Sequence, residues 1–197
     1  MKEFNIVVTG IGGQGALTLG IIIAEAALKQ GYYVRTTELH GLAQRGGSIP
    51  IHLRFGKKMY TAMVLEGEAD LVISLEPLEA LRSAYYGSKQ HKTVFVIDND
   101  PIVPLSVSVL GEKYPSLNEI ENNLKNFSEK VIFLNASETV QKETGNDIAA
   151  NIYLLGYVIG KGLLPLKEKY ILEAMQELGP KYFEVNKKIF EMGMEYR

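Results

Sequence analysis

Cysteine is absent from this 197-residue sequence, and so is tryptophan. Without a thiol the chain can build no disulfide framework, offer no thiolate nucleophile and ligate neither zinc nor an iron–sulfur cluster through sulfur. An excess of either charge is missing too. The 21 Lys and Arg stand against 23 Asp and Glu, so no basic field invites nucleic acid or anionic lipid. Histidine occurs three times, at His40, His52 and His91, too scattered to sketch a hydride-transfer set. The longest apolar helical stretch, residues 16–28, carries Thr18 and Glu25 and falls short of the ~20 residues that cross a bilayer. The opening Met1-Lys2-Glu3-Phe4 lacks a signal-peptide pattern and runs straight into a strand. These absences lead us to expect a cytoplasmic protein without nucleic-acid or membrane partners.

What is present suits a folded domain: 46% of the residues are hydrophobic and 22% charged. The length is enough for one domain and hardly for two, so residues 1–197 are expected to form one domain with a helical C-terminal segment from about 146 to 197. Residues 4–8 form an apolar, β-branched run of the kind buried on both faces of a parallel sheet. Helix-period residues 16–30 follow, ended by Gly31, and residues 32–36 complete a strand–helix–strand unit. Residues 37–47 read as a polar, ordered loop.

Residues 48–55 alternate, with Ile49, Ile51, Leu53 and Phe55 on one face and Pro50, His52 and Arg54 on the other. That pattern predicts an antiparallel ribbon with one wet face, returning through residues 59–64 as a hairpin. Pro50 argues for an edge strand or a bulge. Strands are predicted over 70–75, 92–97, 106–110 and 131–134, and helices over 77–85, 116–127, 137–143, 146–160, 166–178 and 181–194. Ser116 and Glu119 have the spacing of a capping box.

Two glycine-bearing segments stand apart. Gly10-Ile11-Gly12-Gly13-Gln14-Gly15 lies between a strand and a helix, the context of a dinucleotide-binding loop. Glycines there permit a tight turn and open backbone N–H groups at a helix N-terminus to a phosphate. Glu38, 23 positions beyond Gly15, lies near where a ribose-binding carboxylate sits. Close packing of helix on sheet and presentation of backbone to a partner protein remain alternative uses of the same glycines. The second segment runs Glu38-Leu39-His40-Gly41-Leu42-Ala43-Gln44-Arg45-Gly46-Gly47-Ser48. It sets a five-donor guanidinium beside open backbone, which suits a phosphate or carboxylate, or equally a solvated turn. Together the reading is a Rossmann-like α/β fold: a mostly parallel sheet with an antiparallel hairpin excursion and C-terminal helices.

The pair GIGGQG…TLGIIIAEAA and ELHGLAQRGGS…HLRFG resembles the gamma-type subunits of 2-oxoacid:ferredoxin oxidoreductases. Within that family the wording HGLAQRGGS is most similar to the small (beta) subunits of the indolepyruvate branch. Residues 69–73, 76–82 and Asn151-x-x-x-Leu155-Gly156 extend the resemblance from about Asn5 to about Gly160. It implies an enzyme that uses thiamine diphosphate, Mg and iron–sulfur clusters to decarboxylate a 2-oxoacid oxidatively, reduce ferredoxin and form an acyl-CoA.

The residues limit this chain's share in that chemistry. It has no cysteine for a cluster, and its Asp residues (Asp70, Asp98, Asp100 and Asp147) form no GDG metal motif. The expectation is a non-catalytic small subunit, inactive alone and without a metal of its own. Thiamine diphosphate, Mg and the clusters would sit on a large partner subunit, coenzyme A would be co-substrate, and ferredoxin would be met through the complex. Gly10, Gly12, Gly13, Gln14, Gly15, Glu38, His40, Gln44, Arg45, Gly46, Gly47 and Ser48 are the candidate ligand- or partner-facing residues. The isolated chain is expected to expose an apolar face and pair as a homodimer. Two alternatives stand beside this: a gamma subunit serving pyruvate, 2-oxoglutarate or 2-oxoisovalerate, and a stand-alone NAD(P)-binding oxidoreductase using the glycine loop and Glu38.

Other features have plain structural readings. Glu76 and Glu79 flank Pro77 and complement a helix dipole before they suggest acid–base work. Asp98-Asn99-Asp100 could hold Mg²⁺ but ends a strand as any turn does. Gly156 and Gly160 suit close helix packing, and the pairs Tyr32-Tyr33 and Tyr85-Tyr86 suit core and rim.

Overall fold

The computed structural model describes residues 3–39, 46–104, 107, 109 and 111–196. The sheet grows from the opening apolar run, β1 (Glu3–Ile11), which is buried from Asn5 onward. It is followed by α1 (Ala16–Lys29), β2 (Tyr33–Glu38) and β3 (Ser48–Gly56). Next come β4 (Leu71–Ser74), α2 (Pro77–Arg82) and β5 (Val94–Asp98). The chain continues through α3 (Leu117–Leu124), β6 (Lys130–Leu134), α4 (Ala136–Thr144), α5 (Ala150–Gly160), α6 (Glu168–Leu178) and α7 (Phe183–Glu195). Single 3-10 turns at Ala84–Tyr86 and Pro180–Tyr182 complete the described elements.

The strands stand in the order β2-β3-β1-β4-β5-β6. β1, β4, β5 and β6 are parallel, and β3 runs antiparallel between β1 and β2. Ile6, Val8, Leu53, Ile73 and Val96 point to one side, where α1 and α4–α7 cover them with Leu19, Ile23, Leu155, Ile171 and Phe190. Val7, Val72, Phe95 and Ile97 point to the other, under Ala80 of α2 and Ile120 and Leu124 of α3. This two-sided cover is what near-continuous apolar strands require. The capping box forms as its spacing predicts: Ser116 and Glu119 exchange hydrogen bonds at the start of α3.

The antiparallel excursion exists, but its partners differ from those expected. β3 pairs along one edge with β1 from Ile11↔Ser48 to Glu3↔Gly56 and along the other with β2. Both edges are thus taken, and residues 59–64 form no returning strand. They run instead as a strap across β3, bonded to its side chains. Arg54 donates through Nη1 to the Thr61 hydroxyl (2.6 Å) and the Met63 carbonyl (3.3 Å), and the Val64 N–H donates to His52 Nδ1 (3.1 Å). The face expected to be wet is therefore dry, with His52 0% and Arg54 9% exposed.

Pro50 is inside the sheet without a bulge. Its carbonyl accepts from Leu39 N–H, so its missing N–H points past the last β2–β3 pair, Glu38↔Ile51. Of the strand expected over 106–110, Val107 and Val109 have helical backbone, and the other positions lie outside the described residues.

Candidate functional site

The carboxyl ends of parallel strands form the usual ligand-binding edge of such a sheet, and the first glycine segment meets residues 46–48 of the second there. β1 runs through Gly10 and Ile11, leaving residues 12–15 as the loop proper. Gln14 sews this loop down. Its Oε1 accepts from Ile11 N–H and its Nε2 donates to the Leu75 carbonyl beyond β4, both at 2.8 Å. Gly15 caps α1 with φ +80° and no side chain, which leaves the first-turn N–H groups without a side-chain acceptor. Its carbonyl accepts from Asn151 Nδ2 at 3.0 Å. A Cβ at Gly15 would lie 2.6 Å from that nitrogen, so position 15 is glycine both for its φ and for the approach of α5.

Gly12 is spoken for by the second segment: its N–H donates to the Gly47 carbonyl (2.9 Å) and its carbonyl accepts from Gly46 N–H (3.3 Å). Ser48, the first residue of β3, donates its hydroxyl to Glu79 on α2. His40, Gln44 and Arg45 lie outside the described residues.

Glu79 is 1% exposed and also accepts from Arg82. Its neighbour Glu76, 0% exposed, caps α2 by accepting from Glu79 N–H (2.9 Å). Glu76 Oε1 collects the Tyr114 hydroxyl (2.5 Å) and Ile102 N–H (3.2 Å), and Tyr114 in turn accepts from Leu78 N–H. Burial raises the Glu76 carboxyl above its ordinary range, and burial with the neighbouring carboxylate raises the Tyr114 phenol. Glu76 thus caps α2 and Glu79 sets a carboxylate in its first turn, as the dipole reading expects. They also tie the start of β3 and the chain after β4 and β5 into one hydrogen-bonded edge, a role that local spacing does not reveal.

On the α1 side this edge opens into a cavity of about 860 Å³, within the size range of small-molecule sites. Gly13, Gly15 and Thr18 line it together with Asn146, Val185 and Lys188. Ile148 and Tyr182 on its rim are exposed, and Lys188 forms an ion pair with Glu143. Lys188 is not legible from the sequence, because nothing near residue 188 tells that α7 packs on α5 and so shares a cavity with the glycine loop.

Glu38 does not join this group. It ends β2, opposite Ile51 of β3, and lines a smaller groove of about 260 Å³ beside Leu17 and Ile21. Two strand spacings, about 10 Å, separate β2 from β1. The carboxylate is therefore not next to the glycine loop, and Gly12 N–H is already used, two departures from a dinucleotide site.

The remaining candidates have structural employment. Asp98 accepts from the Ala136 and Ser137 N–H groups and the Ser137 hydroxyl, tying β5 to α4. A Cβ at Gly156 would strike the Phe190 carbonyl oxygen, and one at Gly160 would lie 2.5 Å from that of Met194. Tyr32 packs on Phe55 while Tyr33 is exposed, and the hydroxyls of Tyr85 and Tyr86 are bonded at 2.7 Å. Among the described residues no three His, Asp or Glu side chains gather as a metal site, and no helix is long and apolar enough to cross a membrane.

Residues 5–196 match the family model described as pyruvate ferredoxin/flavodoxin oxidoreductase. The chain is 42% identical to the indolepyruvate oxidoreductase subunit IorB of Pyrococcus horikoshii, over 99% of this chain and 96% of that one. In fold it is similar to the gamma subunit of a keto/oxoacid ferredoxin oxidoreductase from Geobacter sulfurreducens. The TM-score is 0.68 at 22% identity, covering 98% of this chain and 96% of that one. It is also similar to 30% of a chain of the 2-oxoglutarate:ferredoxin oxidoreductase of Magnetococcus marinus, solved with 2-oxoglutarate, coenzyme A and succinyl-CoA bound. There the TM-score is 0.71 at 20% identity over 98% of this chain.

Proposed function

This chain belongs to the pyruvate ferredoxin/flavodoxin oxidoreductase family, and from that premise we propose that it is the small subunit of an indolepyruvate (arylpyruvate) ferredoxin oxidoreductase. The enzyme converts a 2-oxoacid and coenzyme A to an acyl-CoA and carbon dioxide, with electrons passing to ferredoxin. The observation that carries the reading is likeness to the Pyrococcus subunit along 99% of the chain. The chain's own chemistry divides the labour. With no cysteine and no GDG motif, its residues do not fit an iron–sulfur cluster or the metal of thiamine diphosphate. Those groups belong on a large partner subunit, and the isolated chain is inactive.

Coenzyme A does fit what this chain offers. α1 presents first-turn N–H groups without a side-chain cap, beside an open Gly13, an arrangement that favours phosphate oxygens. Lys188, paired with Glu143, lines the same cavity, and Ile148, Tyr182 and Val185 add apolar lining. Coenzyme A supplies the thiol that takes the acyl group, and this chain's share is to hold its phosphates. Arg45, three residues before Ser48, is the sequence's candidate for a second anchor. The outer stripe of α1, with Leu17, Ile21 and Leu28 between 40% and 50% exposed, is the apolar face offered to the partner; alone, it drives pairing of the chain with itself.

The test is co-expression with the large subunit. The complex should reduce ferredoxin with indolepyruvate and coenzyme A while either chain alone does not, and Arg45→Ala should raise the KM for coenzyme A. Tight binding of NAD(H) by the isolated chain would overturn the reading. Faster turnover of pyruvate, 2-oxoglutarate or 2-oxoisovalerate than of indolepyruvate would move it to another branch of the family.

A further inference from the structure

We infer that Glu79 and Ser48 form a positioning clasp that sets where residues 46–48 lie against the glycine loop. Glu79 lies on α2, one side of the sheet, whereas Gly12 precedes α1, on the other. Three short connections join them through β3. The Glu79 carboxylate accepts the Ser48 hydroxyl, the next residue back accepts Gly12 N–H through the Gly47 carbonyl, and Gly46 N–H returns a bond to the Gly12 carbonyl.

A carboxylate 1% exposed is costly unless its oxygens are occupied. Here each oxygen has its own donor, since Oε2 takes Ser48 and Oε1 takes the Arg82 guanidinium from the solvent side. Gly46 and Gly47 carry no side chains to fix their own position, and Gly46 takes φ +71° with open space around it. The segment therefore draws its placement from the residues it is bonded to. Glu79 acts through Ser48 and Gly47 rather than by touching a ligand. The clasp rests on the reading that residues 46–48 and the glycine loop serve coenzyme A.

The experiment uses the assembled enzyme carrying Ser48→Ala, Ser48→Thr, Glu79→Gln or Arg45→Ala, with amide exchange of Gly12 followed in the isolated small subunit. Ser48→Ala should assemble, raise the KM for coenzyme A about tenfold, as expected for loss of one hydrogen bond to a charged group, and change kcat much less. Gly12 N–H should exchange faster, and Ser48→Thr should restore both values because it keeps the hydroxyl. Glu79→Gln, which keeps an acceptor oxygen, should lie between. A lowered Tm with unchanged KM and unchanged Gly12 exchange in Ser48→Ala would make the pair merely structural and overturn the clasp. An unchanged KM in Ser48→Ala beside a raised one in Arg45→Ala also overturns the clasp while leaving the coenzyme A reading standing. An unchanged KM in both overturns both.

Discussion

The two faces of the sheet are built by different means. On the α1 side, helices meet by shape: α5 and α7 cross so closely that Gly156, Gly160 and Gly193 leave no room for a methyl group. On the α2 side, elements meet through buried polar side chains. Asn5, His52, Arg54, Glu76 and Glu79 are all below a tenth exposed, and each bonds to a segment distant in sequence. Arg54 Nε donates to Asn5 Oδ1 (2.8 Å), and Asn5 Nδ2 reaches the Glu68 carbonyl (2.9 Å). Shape gives a rigid platform for the glycine loop. Hydrogen bonds give a face that orients irregular chain, the strap over β3 and the loop ends around Glu76, for which no ladder or helix is available. The difference teaches where each face will fail.

The largest effect is expected on the shape side. Gly193→Ala drives a Cβ into the Tyr153 carbonyl oxygen, and overpacking without room to shift should cost about 3 kcal/mol or more. Urea unfolding would measure this; a loss below about 1 kcal/mol would show that the helices can separate freely. On the polar side, Arg54→Leu orphans Asn5 Oδ1 and the strap carbonyls, at about 2–3 kcal/mol. Raised proteolysis between residues 57 and 67 should accompany it, because the strap loses its anchor.

A smaller effect is expected from pH. Burial lowers the His52 pKa, so in mild acid below its ordinary value of ~6.5 the unfolded chain takes a proton that the folded one refuses. Stability then falls as pH falls, by at most about 1.4 kcal/mol per pH unit for one proton. Burial acts oppositely on Glu76 and Asp98, whose pKa values rise. The folded state keeps those protons longer, so they lose stability as pH rises just above the ordinary carboxylate range. His52→Phe should flatten the slope of Tm between about pH 5 and 6.5 and leave the lower limb in place. A slope unchanged by that substitution would remove His52 as its source. The smallest effect is expected for Lys142→Ala, which breaks the exposed Glu138–Lys142 pair and should change stability by less than about 0.5 kcal/mol.

The shape side was largely legible. The apolar period of residues 16–30, the terminal Gly31 and the glycines four apart at 156 and 160 report local backbone and packing demands that a single segment carries with it. The polar side was misread because alternation identifies two faces without saying what covers them. His52 and Arg54 look like solvent-facing residues until the strap at residues 59–64 is laid over them. Glu76 and Glu79 read correctly as a helix start, yet their long-range partners, Tyr114, Ile102 and Ser48, carry no signal at their own positions. Glu38 shows the reverse error: its distance along the chain suits a ribose, but β3 stands between it and the loop.

The chain by itself determined the strand–glycine–helix opening, the parallel core and the exclusion of sulfur-ligated clusters, because these follow from residue type and spacing within short windows. Only the folded molecule decided that β3 enters between β1 and β2, that the glycine segments bond to each other at Gly12, and that Lys188 lines one cavity with Gly13 and Gly15. Pairing partners and buried charge contacts depend on which distant segments compete for the same edge, and that competition is settled when the whole sheet closes.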